Sequence, residues 1–402
     1  MPSLPEKADS AECIGMGHLQ CHHLTAPLSG LTSSCRLLHP VGIIGGGEVA
    51  QVIHLPTLAL LNHLYVVTSI ADISHNTVDH VARKFGIPHK TTDAYELIAR
   101  DDVDIIFILT VDEFHEGLAI AGLEAGKAIF IEKPITLSVA AAERIVAAEE
   151  AAGGKKVFVG YMRRYAPSFT QAFKREVASI SKILHARVRD IVGPNSHFVS
   201  QSGTSPEKYS DFPANADKER AESLQKLLSE AFPGRQPTAE EVKYCRFLGS
   251  LGSHDLSLMR EAIGFPVSVA GVSANEPFYS AIFNFKNKSG EPYAVTYESG
   301  IDSVPRFDAN IAVYGEKKTV SIQYNTPYIK GLPIVVKVEE LNDAGEATTK
   351  EILSSFDDAY TVMLKELYAC IVEGMPIKTT AKDALMDLKL YDMMYKTYAK
   401  HN

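Results

Sequence analysis

No stretch of this 402-residue sequence is apolar for long. The longest runs, such as Ile105 to Leu109, fall far short of the ~20 residues a membrane helix needs, so no membrane segment is expected. An excess of basic residues is also missing. Lys and Arg number 40 against 49 Asp and Glu, for a formal charge of −9. Nucleic acid and anionic lipid are held mainly by clustered cations, so neither is expected as a partner. Cysteines are few and odd in number, five in all. Cys245 and Cys370 lie far apart in apolar-patterned stretches, so no disulfide framework is expected and a reducing, cytoplasmic setting fits. Cys13, Cys21 and Cys35 lie near the start with His18, His22, His23 and His39, but no C-x-x-C pair accompanies them. Pro, Ser and Gly are scattered there without apolar periodicity, which predicts a disordered extension over 1–38 and no metal site. Glu6, Lys7, Asp9 and Glu12 interrupt any secretory leader. With 46% hydrophobic and 22% charged residues, the chain is sufficient for two domains of ~100–200 residues each.

The pattern becomes regular at Pro40. Val41 to Ile44 is a short apolar run that reads as a buried strand. It leads into Gly45-Gly46-Gly47-Glu48-Val49-Ala50, a G-x-G-x-x-A sequence, and then into an apolar segment through Val52, Ile53 and Leu55 suited to a helix start. In such a turn Gly45 permits a tight bend and Gly47 lets backbone approach a pyrophosphate. The small Ala50 lets helix pack on strand, with Glu48 and Val49 at the helix N-terminus that faces phosphate. Tyr65 to Ala71 is the next strand and ends in Asp72, placed to accept hydrogen bonds from ribose hydroxyls. NAD is therefore favoured, while Ser74 and His75 beside Asp72 leave NADP open. Val78, Val81, Ala82 and Phe85 form a helical stripe, with Asn76 placed to cap it and Gly86 and Pro88 to stop it. Ile105 to Leu109, the stripe Leu118 to Ala125, Ala128 to Ile131, a Ser138-capped helix and Val157 to Val159 continue the alternation. This predicts a doubly wound parallel sheet over 39–163.

Over 164–402 the grammar changes. Ala186 and Val188 alternate with Arg187 and Arg189, the period of a strand with one wet face. Phe278 to Lys286 and Tyr293 to Tyr297 flank a hairpin turn, as do Ile311 to Tyr314 and Thr319 to Tyr324. Thr238 to Glu241 reads as a capping box. An α+β domain on a large open, mainly antiparallel sheet is expected. The overall class is α/β.

Gly45 to Ala50, Asp72, Glu132-Lys133-Pro134 and Val159 to Pro167 together resemble the glucose-fructose oxidoreductase and inositol dehydrogenase (Gfo/Idh/MocA) family, and Ile311 to Val320 resembles its sheet-domain hairpin. Glu-Lys-Pro is the most specific of these signatures. The resemblance implies a nicotinamide-binding Rossmann domain followed by the α+β domain, with the active site in the cleft and a homo-oligomeric assembly. It implies that Lys133 is the catalytic lysine, beside cofactor and followed by a cis peptide bond to Pro134, with Glu132 at the cofactor. It also implies that Gly252-Ser253-His254 supplies the catalytic histidine. Many members carry Asp one helical turn earlier, where this chain has Ser250, which brings no charge. Asp255 would point about 100° away from His254 on a helix. Tyr161, Arg163 and Arg164 follow a strand end near the cleft, where they hold substrate or pack between domains; Arg164 matches the family's arginine.

The expected activity is hydride transfer between NAD(P) and a secondary alcohol of a sugar, polyol or related small molecule, with His254 taking the proton and Lys133 stabilising the alkoxide. Two alternatives within the same fold are a non-catalytic dinucleotide-binding regulator and an NAD-dependent glycosidase. Substrate contacts are expected from the loop Asp190 to Phe212 and from the sheet face.

Overall fold

The computed structural model describes residues 38–401. The expectations for the Cys/His-rich start therefore lie outside the described residues, His39 and Leu38 apart. The described residues belong to one compact unit, built on two sheets.

The first sheet has six strands: β1 (His39–Ile44), β2 (Tyr65–Ala71), β3 (His89–Thr91), β4 (Ile105–Ile108), β5 (Ala128–Ile131) and β6 (Val157–Val159). Their spatial order is β3-β2-β1-β4-β5-β6, every pairing is parallel, and β4, β5 and β6 are almost wholly buried. Burial on both faces is why these strands read as unbroken apolar runs without alternation. Phe107, Phe130 and Phe158 occupy matching positions on successive strands. They stack with Tyr165 at centroid spacings of 4.5, 6.0 and 5.2 Å. Such ring pairs contribute ~0.5–1.5 kcal/mol each beyond the area they bury.

The helix His75–Phe85 corrects one local expectation. Its cap is Ser74, in extended conformation with its hydroxyl accepting from Thr77 N at 3.0 Å, and not Asn76, which already lies inside the first turn. Gly86 stops the helix as expected, with φ of 67°.

The second sheet has eight strands: β7 (Ile183–Val192), β8 (Ser268–Asn275), β9 (Phe278–Lys286), β10 (Pro292–Ile301), β11 (Phe307–Gly315), β12 (Lys318–Tyr324), β13 (Val335–Leu341) and β14 (Ala347–Ile352). The order is β14-β13-β12-β11-β7-β10-β9-β8, antiparallel except where β10 runs parallel to β7. On β7, Ala186, Val188, Asp190 and Val192 are buried and the intervening residues half-exposed. The capping box at Thr238 is present, with both reciprocal bonds to Glu241. The chain then returns to the first half. Tyr65 Oη donates to Leu364 O at 2.6 Å and Val159 N to Thr379 O at 2.8 Å. The last helix, Ala381–His401, packs against both the helix Val139–Ala151 and β8. These contacts stitch the two sheets together around the cleft.

Candidate active site

The strand order reverses at β1, and ligands of open α/β sheets bind outside such a reversal. Gly45 stands at that point with φ of 102°, and a Cβ there would lie 2.7 Å from the Leu109 carbonyl group. Only glycine fits both demands. A Cβ on Gly47 would meet nothing within 4 Å, so this backbone opens onto free space. That space is a cavity of about 830 Å³, lined by Gly45, Gly47, Glu48, Val49 and Asp72 below and by Phe212 and Arg220 above. Ala50 is fully buried instead, packing helix against strand. Asp72 Oδ2 accepts from Gly46 N at 2.8 Å and Oδ1 from Ser74 N at 3.0 Å. Burial pushes this carboxyl up and the two N–H groups hold it down. A glycine cradle, a cavity within the range of ligand sites and a fixed carboxylate fit the adenosine and pyrophosphate of a dinucleotide.

Beyond the cavity, β5 runs into Glu132-Lys133-Pro134. Glu132 does not line the cavity. Its Oε1 lies 2.7 Å from His54 Nε2 and its Oε2 accepts from Lys133 N at 3.1 Å. Burial raises its pKa, but the His54 hydrogen bond and the charge of Lys133 outweigh that and keep it ionised. Glu132 therefore braces the turn from below. The Lys133–Pro134 bond is cis, as the resemblance implies.

Lys133 is half-buried and reaches across to the second domain, where Nζ donates to Ser250 O at 2.8 Å. That carbonyl is available because the helix Ala239–Phe247 continues through one widened turn, Leu248–Gly252, before the helix Ser253–Ile263. A widened turn leaves carbonyl groups without their usual partners. Gly249 lets this turn close on the lysine segment, since a Cβ there would sit 2.8 Å from Leu137 Cδ2 and 3.2 Å from Pro134 Cγ. The Ser250 side chain is exposed and donates to Phe247 O at 3.2 Å. Residue 250 thus acts through its carbonyl. Burial lowers the Lys133 pKa; Glu132 and Asp112 pull it up and Arg163 pushes it down.

His254 opens the following helix and is half-buried, its Nδ1 enclosed without a hydrogen-bond partner. Burial, then the charges of Lys133 and Arg163, hold its pKa well below the usual imidazole value. The ring is neutral at pH 7, as a proton acceptor must be. Lys133 and His254 thus feel each other across the cleft.

Tyr161, Arg163 and Arg164 resolve in favour of packing between domains. All three are 3% exposed or less. Arg163 pairs with Asp190 on β7 at 3.0 Å and with Asp255. Arg164 pairs with Glu261 at 2.6 Å and with Asp383. Asp255 does point away from His254, toward this guanidinium. Burial and the neighbouring Asp190 raise its pKa well above the carboxylate range. Parts of the Asp190 to Phe212 segment are held by contacts within the protein. Asp190 is wholly buried, and residues 205–212 are bonded to the first half of the chain, with Phe212 lining the dinucleotide cavity: Glu207 exchanges two hydrogen bonds of 2.9 Å with Gln51, and Lys208 pairs with Glu48 at 2.8 Å. Their sequence is polar and aperiodic, so only the folded chain shows where they land. Gln51 and His54 were missed because one helical turn after a glycine loop carries no pattern that distinguishes them. Among the described residues, no group of His, Cys, Asp or Glu is placed to hold a metal, and no helix is long and apolar enough to cross a membrane.

Comparison with known proteins agrees with this geometry. Residues 40–161 match the profile described as "Oxidoreductase family, NAD-binding Rossmann fold" and residues 232–401 its companion "Oxidoreductase family, C-terminal alpha/beta domain". The chain is 33% identical over 142 residues to an inositol 2-dehydrogenase of Paracoccus denitrificans, 35% of this chain and 42% of that protein. It is 33% identical over 139 residues to the scyllo-inositol 2-dehydrogenase (NAD(+)) of Bacillus subtilis, 33% of this chain and 40% of that one. The matched stretch thus spans about two-fifths of these curated relatives. Among solved structures, levoglucosan dehydrogenase with NADH and levoglucosan superposes with a TM-score of 0.68 at 17% identity, covering 90% of this chain and 98% of that one. A 3-ketoreductase of Actinomadura kijaniata with NADP gives 0.65 at 16%, with the same coverage. At those identities the likeness is one of fold. With both halves matched by the family's own domains, the chain belongs to the Gfo/Idh/MocA family of NAD-binding oxidoreductases.

Proposed function

We propose that this protein is a dehydrogenase that transfers hydride between NAD and a secondary alcohol of a cyclic polyol or sugar. The observation that carries this is the pairing of Lys133, at the carboxyl end of β5, with the carbonyl of Ser250 on the helical segment that bears a neutral His254. NAD held in the crevice supplies the hydride acceptor. The substrate hydroxyl is seated between Lys133 and His254. As its C–H bond breaks, the electron pair leaves with the hydride and the hydroxyl proton passes to the His254 imidazole. The Lys133 ammonium donates a hydrogen bond to the oxygen as negative charge builds there. Glu132 and Asp112 offset part of the effect of burial, which lowers the Lys133 pKa. Alignment of the donor carbon depends on the fixed angle between β5 and the His254 helix.

The relatives named for inositols direct the screen: inositols first, then anhydrosugars, sugars and linear polyols, each with NAD, read as NADH absorbance. Formation of NADH with one class, abolished in Lys133→Met, supports the reading. NADH binding without turnover on any class refutes it. The free thiols Cys245 and Cys370, both buried, support a reducing cytoplasmic setting. The exposed Phe278 and Ile282, four residues apart on one face of β9, support self-association; light scattering reads the mass.

A further inference from the structure

The proposal concerns how a 2′-phosphate is refused, and it rests on the dinucleotide reading above. Under that reading Asp72 holds the adenosine ribose. A phosphate on the neighbouring 2′-oxygen would then need donors close to Asp72. Two stand there. Ser74 Oγ is two residues from Asp72, whose Oδ1 already takes the Ser74 N–H. The Asn76 N–H points out of the first turn of the eleven-residue helix His75–Phe85, at its electropositive end. Both are already occupied by a carboxylate from another part of the chain. Asp211 Oδ1 lies 2.5 Å from Ser74 Oγ and its Oδ2 3.0 Å from Asn76 N.

Asp211 is delivered by a strap, residues 205–212, that is bonded to this half of the molecule along its length. Lys84 Nζ donates to Ser205 O at 2.5 Å, Glu207 is paired with Gln51, Lys208 with Glu48, and the Tyr209 ring lies 5.9 Å from His80. The next residue, Phe212, lines the cavity that Asp72 also lines. The strap lies between the two stretches matched by the family's domains.

We propose that Asp211 is a cofactor-specificity residue: its carboxylate occupies the place and the donors of a 2′-phosphate, and excludes NADP by prior occupancy and by like charge. NADP would have to displace the carboxylate and lie against it and Asp72 together. NAD, with a neutral 2′-hydroxyl, leaves the arrangement intact.

The test is titration of NADH and NADPH, by cofactor fluorescence at one ionic strength, into the full chain and three variants. Asp211→Asn removes the charge and keeps an acceptor oxygen for one of the two donors; Asp211→Ala removes charge and acceptors together. Lys84→Ala loosens the strap at Ser205 without touching the subsite. The unaltered protein should bind NADH more tightly. The ratio of NADPH to NADH affinity should rise about tenfold, or ~1.4 kcal/mol, in both Asp211 variants, and Lys84→Ala should leave that ratio where it was. A ratio unchanged or lowered by the Asp211 substitutions, or raised equally by Lys84→Ala, overturns the assignment, as does an unaltered protein that prefers NADPH. If the unaltered protein binds neither dinucleotide, the dinucleotide reading itself falls.

Discussion

Substitution of Arg163 by methionine tests the buried cluster behind the cleft. Among the described residues Arg163 is the cation paired there with Asp190 and Asp255, and all three side chains are 3% exposed or less. Methionine keeps most of the volume but leaves two carboxyl groups without their cation. Removing one partner from a buried ion pair costs ~3–5 kcal/mol, because the remaining charge stays desolvated. At ~2.1 cal/mol/K per residue, the 402 residues convert that into a melting point lowered by about 4–6 °C. Asp255→Asn should behave in the opposite way. Burial and Asp190 raise the pKa of Asp255, so the folded site favours the uncharged acid more than water does and the amide approximates that form, at a cost of about 1 kcal/mol. The sign with pH follows. A carboxyl whose folded pKa is raised stabilises fully below its unfolded value, near ~3.9, and loses that contribution as pH rises through the folded value. The stability difference between the natural protein and Asp255→Asn should therefore move in favour of the variant as pH rises from 4 upward. Urea denaturation from pH 4 to 8, with thermal melts at pH 7, reads both effects. Equal losses in Arg163→Met and Asp255→Asn at pH 7, or a pH-independent difference for Asp255→Asn, would refute the raised pKa of Asp255.

Lys133→Met should retain most NADH affinity in a fluorescence titration, since Lys133 does not line the dinucleotide cavity, yet lose on the order of 10²-fold or more in kcat; undiminished turnover would remove Lys133 from the chemistry. The acid limb of kcat/KM should lie below the ordinary imidazole range, because burial, Lys133 and Arg163 depress His254; His254→Ala should abolish that limb, and Ser250→Asp should move it to higher pH. A limb that follows neither substitution assigns the proton to another group. Asp72→Ala should weaken NAD binding in calorimetry and narrow its advantage over NADP, as two backbone donors and the ribose lose their acceptor.

The alternation of buried strands and helices was readable over residues 41–159 because parallel strands covered on both faces must be apolar throughout, and the glycines of Gly45 to Ala50 are required by backbone sterics alone. Lys133 and His254 were located by resemblance, and the fold brings them to the two sides of one cleft. Single residues beside these patterns were harder. Asn76 was expected to cap a helix that Ser74 caps, because both are good caps two positions apart and only backbone angles separate them. For Arg163 and Arg164, near a strand end, substrate and domain packing were equally open, since the carboxylates they meet lie between 27 and 219 residues away in sequence.

Local rules, then, determined this protein's elements: period, caps and glycine turns act over a few residues, and those residues carry them. Partnership was decided only by tertiary structure. That residue 250 serves Lys133 through its carbonyl depends on one widened helical turn, and that Glu207 bonds Gln51 while Phe212 lines the dinucleotide cavity depends on a long connection from β7 folding back onto the other half. Charge and hydrogen-bonding capacity are written in each side chain. Which groups they satisfy is set by distances that exist only once the two sheets have packed.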